Sequence, residues 1–110
     1  MLPAVLPVVL EGEIRLLPVR DVLYCYADEN RTLVVTAAGE LPTRGSLRDL
    51  AARLEAARFF RSHRAYLVNL EHVRSVIPWT RNAYSLSLEG RREVPLSKHR
   101  VKALRELVGW

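Results

Sequence analysis

Apolar positions along the chain follow two different periods. Leu47, Leu50, Ala51, Leu54 and Ala57 recur at three- and four-residue spacing. They stand behind Ser46 as an N-cap, with Asp49 three residues on, and predict a helix of about three turns. A second helical stretch runs over about 98–108 behind Ser97, with Val101, Leu104, Leu107 and Val108 as its apolar stripe and Gly109 as its stop. Elsewhere β-branched and aromatic residues cluster in short runs divided by turn residues, which predicts strands over 13–17, 22–26, 32–37, 66–70, 73–78, 83–88 and 92–96. The clearest is Tyr84, Leu86 and Leu88 alternating with Ser85 and Ser87, then Glu89-Gly90 as a hairpin turn. Many short strands and two helices predict a mainly-β domain with the helices at its periphery.

With 110 residues, the chain has room for one core. A hydrophobic share of 49% and a charged share of 26% disfavour disorder, a collagenous repeat and a disulfide scaffold. Cys25, between Tyr24 and Tyr26 in an apolar strand, has no bridging partner and reads as a buried, inert thiol. The apolar start is broken by Pro3 and Pro7 and lacks a basic flank, so it suits neither a bilayer span nor a secretory signal, and a cytoplasmic protein is expected.

Charge changes the picture more. Residues 1–57 hold six Arg and eight acids, a balance of −2, whereas residues 58–110 hold eleven basic residues and four acids, a balance of +7. So lopsided a field attracts polyanions, nucleic acid first among them, although a basic face that only solubilises has the same composition. Fifteen of the seventeen cations are Arg, which suits forked recognition of phosphate or guanine. A GC-rich genome produces the same bias, so this preference carries little weight.

The residues offer little to an enzyme. His63, His72 and His99 do not fall at metal-ligand spacing, and there is no CxxC, glycine-rich phosphate loop or nucleophile elbow. Ser62 and His63, as strand neighbours, point to opposite faces. No catalytic, metal or cofactor site is expected. The densest basic feature is the run 58–64, in which Arg58, Arg61, Arg64 and His63 surround Phe59 and Phe60. Its cations either straddle a phosphate backbone and a base edge or pair with Asp28, Glu29 or Glu71 in a solvated turn. Lys98, His99 and Arg100 open the last helix, facing the positive end of its dipole at a cost of ~0.3–1 kcal/mol each. Such a cost is small enough to be tolerated, but the placement is better explained by an external anion docking there. Asn30 and Arg31 at one hairpin tip, and Trp79 with Arg81-Asn82 at another, stay open between groove entry and an ordinary connection.

Three stretches carry a resemblance. The run 58–70 (RFFRSHRAYLVNL), then 73–77 (VRSVI), then 93–100 (EVPLSKHR) resemble the LytTR DNA-binding domain of bacterial transcription regulators, whose pattern is F-x-R-x-H-r-s-y-x-V-N, an I-x-x-I strand, and i-P-v-S-r before the last helix. Asp21 to Tyr24 and the helix after Ser46 also resemble it, so the likeness covers roughly residues 13–108. It implies an elongated stack of small, mostly antiparallel β-sheets with two peripheral helices. It also implies a non-enzymatic regulator reading direct-repeat sites in double-stranded promoter DNA through loops in successive major grooves.

Carried over by position, the base-reaching residues are Asn30, Arg31, His63, Arg64, Lys98 and His99. Charge and placement assign Arg61, Arg91, Arg92, Arg100 and Lys102 to phosphates. His99 stands where the family often has Arg, which weakens the expectation of a forked guanine contact and introduces pH sensitivity. Residues 1–12 are expected to form an apolar arm able to serve as a dimer contact, and residues 13–110 the DNA-binding domain, a homodimer on DNA. Met1 and the Pro-containing start favour a stand-alone regulator over a piece of one whose sensor or receiver lies elsewhere. The alternatives are a module that has lost DNA binding and sequesters a related regulator, and an RNA-binding module using Trp79 and the Phe pair as stacking platforms.

Overall fold

A computed structural model describes residues 5–110. Strands β1 (Val5–Leu10) and β2 (Glu13–Pro18) form a hairpin whose central Glu11 and Gly12 both take positive φ, the backbone that a two-residue loop between twisted strands prefers. Then follow β3 (Val22–Asp28), β4 (Arg31–Thr36), β5 (Gly39–Thr43), α1 (Leu47–Leu54), β6 (Phe59–His63), β7 (Tyr66–Asn69), β8 (Val73–Pro78), β9 (Tyr84–Leu88), β10 (Arg92–Leu96) and α2 (Val101–Val108). The strands make three sheets, β1-β2, β5-β4-β3-β7-β6 and β10-β9-β8, and every pairing among them is antiparallel.

The five-stranded sheet is the middle layer, apolar on both faces. On one face Val22, Cys25, Val34 and Leu67 pack with Leu6 and Val8 of β1 and with Leu47, Leu50 and Leu54 of α1. On the other, Leu23, Val35, Phe60 and Val68 pack with Leu86, Leu88, Val94 and Leu96 and with Val101 and Leu104 of α2. Stacking the layers gives a body of 45 × 30 × 24 Å, with the mainly-β make-up and flanking helices that the sequence pattern predicts and the elongated stack that the resemblance implies. Each fully buried Leu or Val contributes ~1.5–3 kcal/mol through removal from water.

Local chemistry sets the element ends. The Ser46 hydroxyl accepts the Asp49 N–H at 3.1 Å and starts α1. After a 3-10 turn, Arg58 takes left-handed backbone (φ 67°) and swings the chain into β6. α2 begins differently from expectation: Lys98–Arg100 wind as a 3-10 turn, and α-helical geometry starts only at Val101. Gly109 ends it with left-handed backbone.

The N-terminal segment does not project as the expected apolar arm. From Val5 on, the segment is β1, with Leu6 and Val8 wholly buried in the core, so it is a structural layer rather than a projecting arm; residues 1–4 lie outside the described residues. Cys25 is buried, and burial pushes its thiol up to about 12, out of the range of a reactive thiolate. Among the described residues no helix is long and apolar enough to cross a membrane, and no group of side chains is placed to hold a metal ion.

Candidate nucleic-acid interface

Antiparallel pairing of β4, β3, β7 and β6 puts the β3–β4 turn and the β6–β7 turn at the same end of the middle sheet. The Ala27 N–H donates to the Ala65 carbonyl at 3.0 Å and ties the first turn to the second. The segment after β10 is fastened to β6 next door, where the Ser97 N–H donates to the Ser62 carbonyl at 2.8 Å and the Arg100 Nε–H to the Arg61 carbonyl at 2.9 Å. The three tips expected to reach bases therefore lie in a row. From β4 to β6 the row spans three strand spacings, roughly 14 Å, comparable to the ~12 Å width of a major groove.

Each tip is held by its own contacts. In the first, Glu29 takes a positive φ and leaves Asn30 exposed, and Arg31 reaches back to Asp28 at 3.2 Å. That pair is exposed on both sides and contributes little, ~0–1 kcal/mol, so it leaves Arg31 free to exchange partners. In the second, the Ala65 N–H donates to His63 Nδ1 at 3.0 Å, and the imidazole meets the Tyr66 ring edge-on with centroids 5.8 Å apart. An accepting Nδ1 carries no proton, so neutral His63 holds its proton on Nε2 and presents a donor there. Arg64 is exposed at the apex. In the third, Lys98 and His99 are exposed on the 3-10 turn.

Around the second and third tips the cations have no ion-pair partner among the described residues. The ion pairs among the described residues are Arg31–Asp28 and His72–Glu89, so Arg61, Arg64, Lys98 and Arg100 have no carboxylate within 4.0 Å. The solvated-turn alternative, with these Arg paired to Asp28, Glu29 or Glu71, is not what forms. Burial, and then the neighbouring Arg100, lowers the pKa of Arg61. Burial, then Arg64, His99 and Arg61, lowers that of His63. The crowding of cations that these influences record places the second and third tips side by side. Arg61 also donates to the Arg64 carbonyl, while the Arg100 guanidinium lies 4.9 Å from the Phe60 ring centroid. Both residues thus brace the loops as well as charge them. Lys98, His99 and Arg100 occupy the 3-10 turn ahead of α2 instead of its first α-helical turn, so the dipole cost expected of them is reduced.

Other residues fall elsewhere. Lys102 is exposed on α2, one turn beyond Lys98 and beside the cluster. Arg92 opens β10 at the end opposite Ser97, five residue steps or roughly 17 Å away, with Arg91 just before it, and the fold does not bring either to the tips. Ser62 is buried and its hydroxyl makes no hydrogen bond, so it forms no dyad with His63. Phe59 and Phe60 are buried too, which removes both as stacking platforms.

The β8–β9 loop adds a position that sequence reasoning left open. Pro78 and Leu96 both pair with or flank Tyr84, so Trp79 to Ala83 emerge at the same end of their sheet as Ser97. Trp79 is 62% exposed, yet its indole N–H donates to Ser85 Oγ at 2.9 Å, and that hydroxyl donates to Glu93 at 2.8 Å. These bonds tie the base of the loop to its own sheet, with Arg81 and Asn82 exposed at its tip. Only sheet register reveals the adjacency.

The family model for the LytTr DNA-binding domain matches residues 12–109. The transcriptional regulatory protein YpdB of Escherichia coli K12 is 35% identical over 92 residues, which make up 83% of this chain and 38% of that protein. The sensory transduction protein LytT of Bacillus anthracis is 28% identical over 99 residues, 90% of this chain and 40% of LytT. The chain thus spans about two fifths of the length of these relatives. A solved LytTr DNA-binding domain of a putative methyl-accepting/DNA response regulator from Bacillus cereus superposes with a TM-score of 0.90 at 25% identity, over 98% of this chain and 99% of that one.

Proposed function

The chain belongs to the family of LytTr DNA-binding domains, and on that premise we propose that its three-tip end docks on double-stranded promoter DNA to regulate transcription, with no chemistry of its own. Asn30, Arg31, His63, Arg64, Lys98 and His99 reach base edges. Arg61, Arg100 and Lys102 meet flanking phosphates, and Arg81 extends the phosphate contacts on the β8–β9 side. The supporting observation is the juxtaposition itself: three tips at one end of the middle sheet, tied together by hydrogen bonds, with Arg61, Arg64 and Arg100 at the second and third carrying no carboxylate partner among the described residues. A duplex supplies the missing anions as phosphates and the acceptors for the His63 Nε2–H and the Arg forks as guanine O6 and N7.

Direct-repeat sites, a homodimer on those sites, and an input from a sensor or receiver protein complete the proposal. Arg91 and Arg92 lie outside this surface and take part only if the duplex bends toward them.

Selection of bound sequences from a random duplex pool tests the reading. A shared motif repeated at about one helical turn, 10–10.5 bp, is the expected result. Recovery of no motif, or equal binding to single-stranded RNA at the same salt, would overturn it.

A further inference from the structure

β6 is the outermost strand of the five-stranded sheet, and α1 packs on one face of that sheet and α2 on the other. The two helices leave the strand edge open between them, as a cleft of about 400 Å³. That is within the ~300–1,000 Å³ common for small-molecule sites. Its apolar lining includes Ala51, Phe59, Phe60 and Leu107. Its charged lining is Arg58, Arg61 and Arg100 against the single carboxylate of Glu55, an excess of two positive charges. The Arg61 Nε is buried with no acceptor, and a buried donor left unpaired carries a desolvation cost that an anionic acceptor would recover. The Arg100 guanidinium lies over Phe60, so cation and aromatic surface meet on one wall. Arg58, the residue before β6, stands five residue steps or roughly 17 Å from His63, so the cleft runs away from the base-reading tips.

We propose that this cleft binds an amphipathic carboxylate. The carboxylate sits among Arg58, Arg61 and Arg100 and accepts from the unpaired Arg61 Nε, and the hydrocarbon body lies against Ala51, Phe60 and Leu107. An inorganic anion satisfies the guanidinium groups but gains nothing from the apolar wall. A neutral apolar molecule gains from the wall but leaves two excess cations and the Arg61 donor unsatisfied. Only a ligand carrying both parts uses the whole cleft.

The test is a titration of the isotopically labelled chain, free of DNA, with octanoate, octanol and inorganic phosphate at fixed ionic strength, followed by amide NMR. Octanoate is expected to shift the Ala51, Phe60 and Leu107 resonances saturably, with octanol and phosphate binding about tenfold more weakly or worse. Arg58→Gln and Leu107→Ser, both at exposed positions, should each weaken octanoate about fivefold while circular dichroism stays unchanged. Phosphate binding as tightly as octanoate would reduce the cleft to a plain anion seat, and octanol binding as tightly would reduce it to an apolar groove. Either result, or no saturable shift, overturns the proposal. Because no DNA is in the tube, failure here says nothing against the groove-docking surface.

Discussion

The Arg100 side chain donates through Nε to the main-chain carbonyl of Arg61 at 2.9 Å, joining the turn ahead of the last helix to an edge strand 39 residues earlier. Arg61 in turn donates to the carbonyl of Arg64 at the next apex. A relay of two cations therefore sets the spacing of two tips that the chain separates widely. Removing Arg100 breaks a charged hydrogen bond and lifts a cation off Phe60. Arg100→Ala should cost ~1–3 kcal/mol in urea denaturation. Arg100→Lys should recover little, since an ammonium lacks the planar fork. A variant as stable as the parent would show that the joint lies elsewhere.

The two well-placed histidines should respond to pH with opposite signs. Burial lowers the His63 pKa first, and Arg64, His99 and Arg61 lower it further. Its folded value lies below the unfolded ~6.5, so its contribution to stability is present above that pH and is lost as pH falls. For His72, burial acts downward but is outweighed by hydrogen bonds to the Arg20 carbonyl and the Glu89 carboxylate, and the net shift is upward. Its contribution is full below ~6.5 and is lost as pH rises through the folded value. His63→Asn should flatten the acid side of the stability profile and His72→Gln the neutral side. Two-dimensional nitrogen NMR should find His63 as the Nε2–H tautomer at neutral pH; an Nδ1–H form contradicts the tip geometry.

Much of this was legible in the chain, and the exceptions have physical causes. β8 and β10 fall on the predicted ranges because β-branched residues and turn chemistry coincide there, and the Ser46 cap forms as its spacing implies. β1 was hidden by Pro7, which reads as a breaker. In the fold, the Pro7 carbonyl faces β5 and accepts the Thr43 hydroxyl at 2.6 Å, so the missing N–H lies on the side away from the hairpin ladder. β5 was hidden by Pro42 in the same way, at a sheet edge where proline is tolerated. The tips were each visible as loops rich in donors. Their assembly into one row was not, because it follows from the strand order β4-β3-β7-β6 and from bonds such as Ala27 to Ala65, which no local pattern encodes.

The same finding about β1 changes what truncation does. Leu6 and Val8 are wholly buried against α1 and the middle sheet, so removing residues 1–10 strips a layer of core instead of a dimer contact. Leu6→Ala should cost ~2–5 kcal/mol, and the deletion should leave the chain largely unfolded at 37 °C by thermal denaturation. A deletion variant that melts like the parent would mean the hairpin contributes no packing energy.

Position on the fold divides the cations by what their loss should do to DNA binding. Lys102→Ala removes a charge beside the tips and should flatten the plot of log K against log salt by about 0.9, with equal weakening on all sequences, whereas Arg100→Ala should flatten it alike but, by loosening the second and third tips, should also blunt sequence preference. Arg91→Ala and Arg92→Ala remove charges at the far end of β10, and on a straight duplex they should leave the slope unchanged. Arg64→Ala, at an exposed apex with no carboxylate partner, should instead relax preference at one base pair, a change of ~1–3 kcal/mol between preferred and disfavoured sequences. Anisotropy titrations on a preferred and a scrambled duplex at several salt concentrations separate these behaviours. Were Arg64→Ala to weaken both duplexes alike while Arg91→Ala changed the slope, the reading surface would have to be moved to the other end of the molecule.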